Sequence, residues 1–142
     1  YMLGNLYEDK EKSEQAYRLA ARGEFNLSSA MYYNDQPPQM MYYSAKAIEA
    51  LGYKDEAKKR FNAFIEYANN HMNDEMKIDY FAVSLPDFLI FEGDLNKNNK
   101  VHCNLMAALG YLGIGDNDNA QKYAKQGLEL NQCHAELRDI VK

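Results

Sequence analysis

AKAIEALGYKDEAKKRFNAF, residues 45–64, reads as two amphipathic helices joined by a glycine turn. Ala45 and Ile48 stand seven and four residues before Gly52, and Ala57, Phe61 and Phe64 stand five, nine and twelve after it. The same offsets around Gly115 in AALGYLGIGDNDNAQKYAKQG, residues 107–127, select Ala108, Tyr111, Ala120, Ala124 and Gly127. Two antiparallel helices on a short turn bury a shared stripe at spacings of three and four. Small residues at the crossing let the backbones approach, and larger ones beside them fill the gap. Glycine ends the first helix because it adopts the left-handed conformation without steric penalty. Asp116 is placed to cap the next helix.

Applied near the start and centred on Glu11, the offsets give Gly4, Tyr7, Ala16, Ala20 and Gly23. The small and aromatic positions recur, although the turn glycine is missing. We therefore expect three helical pairs, at about 1–23, 39–71 and 100–131. They form one all-α domain over 1–142, with the first helix clipped, and the chain reads as a fragment of a longer protein. Two insertions separate the pairs. Residues 24–38, EFNLSSAMYYNDQPP, hold a Pro-Pro pair that cannot sit inside a helix. Residues 72–99, MNDEMKIDYFAVSLPDFLIFEGDLNKNN, are longer and partly apolar. Gly52 and Gly115 stand 63 residues apart, where an uninterrupted array of this kind repeats at about 34.

These registers resemble tetratricopeptide repeats. HCNLMAALGYLGIGDNDNAQKYAKQGLELN, residues 102–131, resembles the repeat over nearly its full length. It departs where a large residue usually opens the first helix, at Asn104, and where proline usually follows, at Gln132. The middle repeat matches from Met41 to Phe64, and the first matches in outline only. YYNDQPPQM (32–40), KIDYFAVSLPDFLIFEGDLN (77–96) and HCNLMAALGYLGIGD (102–116) look like the C-terminal region of large bacterial repeat proteins with an uncharacterised β-sandwich domain upstream. The resemblance implies a right-handed helical solenoid in a bacterial protein, a scaffold role, and no catalytic residue. A link of such parent proteins to carbohydrate would run through the sandwich domain, none of which is present here.

Composition narrows the function classes. Hydrophobic residues make up 46% and charged residues 26% of the 142, a balance that supports a folded core. The formal net charge of −5 argues against nucleic acid as a partner, because phosphate binding needs a concentrated basic face. Lys58-Lys59-Arg60 reads as a solvated helix face. No apolar run reaches the roughly 20 residues that span a bilayer, so no membrane partner is expected. No phosphate loop, nucleophile elbow or cofactor motif occurs, and no cofactor is expected. Two cysteines do not make a disulfide framework. The compartment stays open, with the bacterial cytoplasm favoured over the periplasm.

Several segments carry two readings. Residues 30–43 are dense in tyrosine and methionine. Tyr32, Tyr33, Tyr42 and Tyr43, with Asp35, suit gripping a peptide or a sugar, since tyrosine joins a rigid apolar body to a hydrogen-bonding tip. The same rings equally serve to pin the loop and open a helix. Residues 79–94 are too apolar for a free loop and read as short helices, with Pro86 in a first turn. They either pack onto the repeats or shape a pocket with Asp87, Glu92 or Asp94 on its rim, and Tyr80 and Asp87 are counted as candidate binding residues. His102-Cys103 and Cys133-His134 bracket the last repeat. Zinc uses these ligand types, but adjacent helical residues diverge by about 100° and the usual two-to-four-residue ligand spacing is missing. Free thiols and ordinary imidazoles are the better reading, and no metal is expected. His71 sits at a helix end, where a cation suits the dipole. The preferred function is a non-enzymatic module that binds a peptide, a partner protein or the upstream domains of its own chain. The alternative is a carbohydrate or small-molecule site built from the tyrosine-rich loop and residues 79–94.

Overall fold

The computed structural model describes residues 1–29, 37–76 and 94–141. Among them are seven helices and no strand: α1 (Met2–Leu6), α2 (Lys10–Ala20), α3 (Pro38–Ala50), α4 (Lys54–His71), α5 (Leu95–Ile114), α6 (Asn117–Leu130) and α7 (Ala135–Val141). The chain is all-helical, as its periodicity indicates. The short helices expected over 79–94 fall almost wholly outside the described residues.

The two quoted stretches fold alike. Gly52 and Gly115 take left-handed φ angles of 93° and 84°. After each, the same pair of backbone bonds closes the helix end. Tyr53 N–H donates to the Ile48 carbonyl at 3.1 Å and Gly52 N–H to Glu49 at 2.9 Å. Asp116 N–H donates to Tyr111 at 2.9 Å and Gly115 N–H to Leu112 at 3.3 Å. This is the Schellman arrangement, which satisfies carbonyls the helix leaves free. The next helix starts two residues on in both hairpins.

The offsets select the core. Ala45, Ala57 and Ala108 are wholly buried and Ala120 is 1% exposed, with Phe61, Phe64, Ala68 and Met106 packed among them. Each helix packs on the next, and further contacts join α3 to α5 and α5 to α7. Helices α4 and α5 come close enough that a methyl group at Gly110 would meet the Phe61 carbonyl at 2.7 Å. Gly113 faces the Phe61 ring in the same way.

Helix α5 begins at Leu95, inside the segment read as an insertion. Asp94 caps it, its carboxylate accepting from the Lys97 amide at 3.0 Å. Every residue from Val101 to Gly110 is buried, the mark of a helix enclosed on all sides. Helices α3, α4, α6 and α7 all pack against it. Residues 21–29 run across three of the helices. The Ala21 carbonyl accepts from Ser44 of α3 at 3.5 Å, Phe25 meets Phe64 of α4 edge-on at 5.5 Å, and the Ser28 carbonyl accepts from His102 of α5 at 2.9 Å. Gln39 of α3 also donates to Glu136 of α7 at 3.0 Å.

Further boundaries correct the sequence reading, and α3 opens on Pro38, inside the expected insertion 24–38, where proline suits a first helical position. Glu11 lies inside α2, not in a turn. The first turn falls at residues 7–9, where Asp9 caps α2 by accepting from the Glu11 amide at 2.9 Å. With no glycine to mark it, the register slipped by three residues. Helix α7 lies beyond the expected last pair, and its fully buried Leu137 sits against Gly127 of α6.

Candidate functional site

A groove of about 440 Å³ opens where α4, α5 and α6 meet. Asn69, Met72 and Asn73 come from the end of α4, Lys100 and Asn104 from α5, and Tyr123, Gln126, Glu129 and Leu130 from α6. These spacings of three and four give each helix one stripe towards a common space. The lining has four carboxamides, one lysine and one glutamate. Formal charge therefore balances, and the dominant chemistry is that of the amide, donor and acceptor together.

Asn104 is the inner wall. It is 5% exposed. Its Nδ2 donates to the Lys100 carbonyl at 2.8 Å and lies 3.8 Å from the Met72 sulfur. Its Oδ1 is buried and has no hydrogen-bond partner. A buried acceptor left unpaired costs about 1–3 kcal/mol. The Asn104 Cβ packs closely against Gly127 of α6. Tyr123 forms the far wall, its ring stacked on Tyr111 at 5.4 Å.

Two residues along a helix turn by about 200°, so His102 faces the opposite side of α5. Its Nε2–H donates to the Ser28 carbonyl, and burial lowers its pKa, with His134 adding to the effect. Cys103 donates to Asn99 Oδ1 at 3.8 Å, and burial pushes its thiol up to about 11. Tyr67, edge-on to His102, is pushed up to about 12, mainly by burial. Asn99 in turn donates to the His71 carbonyl at 2.7 Å, and His71 Nδ1 lies 2.7 Å from Asp74 Oδ2. These groups are tied into the packing. The thiol is held protonated, which opposes nucleophilic use. Cys133 is exposed and both thiols are free. Among the described residues no three His, Cys, Asp or Glu side chains converge to hold a metal ion, and no helix is long and apolar enough to cross a membrane.

Of the binding residues named from sequence, Tyr32, Tyr33, Asp35, Tyr80 and Asp87 lie outside the described residues. Tyr42 is buried, with its ring 5.4 Å from Tyr43 and 5.8 Å from Phe61. Burial pushes its phenol up to about 12. Tyr43 is half-buried and stacks on Tyr1 at 5.8 Å. Neither Tyr42 nor Tyr43 is among the residues lining the amide groove. Its one trace in the sequence is the departure at Asn104, because the other lining residues are ordinary solvent-side choices on three separate helices. No family model matches the chain, and no solved structure matches it at a significant level.

Proposed function

We propose that the chain is a helical-repeat module of tetratricopeptide type that binds a protein or peptide and performs no chemistry of its own. The recurrence of one hairpin, with the same glycine turn and the same buried alanines in α3–α4 and α5–α6, carries this reading. Stacked hairpins of this kind present extended grooves between rigid helices, and such grooves suit partner segments. The balanced, amide-lined groove supports a protein or peptide over a phosphate-bearing partner. The protonated Cys103 thiol and the structural bond of His102 support a binding role over an enzymatic one.

A solid-phase array of capped decapeptides, probed with the purified protein, tests the proposal. A subset of sequences retained, and reproduced by calorimetry in the micromolar range (about −8 kcal/mol), is the expected result. An array with no retained sequence would count against it.

A further inference from the structure

We propose that the groove between α4, α5 and α6 takes the backbone of an extended, uncharged peptide segment, with a backbone N–H donating to Asn104 Oδ1. This rests on the reading of the chain as a peptide- or protein-binding module and assigns that role a place.

Three observations converge on the site. Asn104 is nineteen-twentieths buried, lines the groove, and keeps one acceptor without a partner. Its other polar atom is already committed to the Lys100 carbonyl, so the amide cannot turn over without losing that bond. What the site lacks is therefore a donor, and a peptide N–H is one. The rim repeats the same chemistry: Asn69, Asn73 and Gln126 each offer a donor and an acceptor, the pair of groups that a peptide unit presents. Lys100 and Glu129 offset each other, which favours a segment without net charge. The apolar wall of Met72, Tyr123 and Leu130 gives one side chain of that segment a place to insert. The Met72 sulfur lies 3.8 Å from Asn104 Nδ2, so an adaptable thioether forms the wall beside the amide. The opposite face of α5 is closed by the chain itself, through residues 21–29 and the Gln39–Glu136 bond. This groove is the cavity that Lys100 and Asn104 of α5 line.

Asn104→Leu separates binding from folding. Leucine removes the unpaired acceptor, so the melting temperature rises while affinity falls. The best array peptide is titrated by calorimetry against the native protein, Asn104→Leu, Gln126→Ala and the distant control Lys58→Ala. We expect Asn104→Leu to weaken binding at least tenfold with an unchanged or higher melting temperature, Gln126→Ala to weaken it by a smaller factor, and Lys58→Ala to leave it unchanged. A second series of the same peptide, N-methylated at one backbone amide at a time, should show one position whose methylation abolishes binding to the native protein. Full binding by Asn104→Leu, with no sensitive N-methyl position, would overturn the groove while leaving the module reading intact. If no peptide on the array binds, both fall together. Should Asn104→Leu fail to fold, the N-methyl series and Gln126→Ala decide the matter alone.

Discussion

His102 shows how one side chain can tie stability to pH. It is buried on α5, donates to the Ser28 carbonyl, and faces His134 from the α6–α7 turn and Tyr67 from α4. Burial favours its neutral form, so its folded pKa lies below the unfolded value of about 6.5. Well above that value the group is neutral in both states and contributes no pH dependence. As pH falls through it, the unfolded chain takes the proton first, and stability is lost progressively until the folded pKa is also passed. Urea midpoints at about pH 7.5 and about pH 5.5 lie on either side of the unfolded value. The native protein should lose more between them than His102→Gln, whose amide can still donate to Ser28. Equal losses would remove His102 from the account. A second residue-scale expectation concerns Phe64, wholly buried and met edge-on by Phe25. Phe64→Ala should cost about 3–5 kcal/mol in the same denaturation experiment.

At the scale of elements, the two glycine turns make a matched pair. An added Cβ at Gly52 or Gly115 meets nothing within 4 Å, so alanine there reports backbone strain alone. Gly52→Ala and Gly115→Ala should each cost about 1–2 kcal/mol from the left-handed φ. The two turns share no partners, so the double variant should cost the sum. Clearly unequal single values would show that the hairpins are not equivalent. The same turns explain what could be read from sequence. Gly52 and Gly115 fix the chain sterically, so they mark their hairpins in the letters, and the alanines at matched offsets follow. The first turn carries no glycine. Asp9 caps α2 instead, and the centring on Glu11 came out three residues late. Helix α7 does leave a mark in the sequence: Leu137, Ile140 and Val141 at spacings of three and four, packed on the core. The start of α5 was hidden because its first turns, Leu95 to Lys100, are mostly polar and read as loop. The groove was legible at one position only. Asn104 stood out against the repeat pattern, whereas Asn69, Asn73 and Gln126 look like any solvent-facing residues until three helices bring them together.

For the whole molecule, burial is uneven along the stack. Helix α2 has no buried residue and α1 buries only Gly4, while α5 is enclosed from Val101 to Gly110. Met2, Leu3, Leu6 and Leu19 remain exposed on the first pair. Its links to the rest run through α2 against α3 and the Tyr1–Tyr43 stack. Helices stacked mainly on their neighbours open in units, each at a free energy set by its own contacts. The first pair should therefore open without the core. Native-state hydrogen exchange resolves this: amides of α2 should exchange through a local opening insensitive to low denaturant, and those of α5 only through global unfolding. The bond from Gln39 to Glu136 ties α3 to α7 across α5, so α3 and α7 should exchange with the core rather than with α1 and α2. If α2 amides are as slow as those of α5, the stack unfolds as one cooperative body, and the first hairpin contributes to the core more than its contacts suggest.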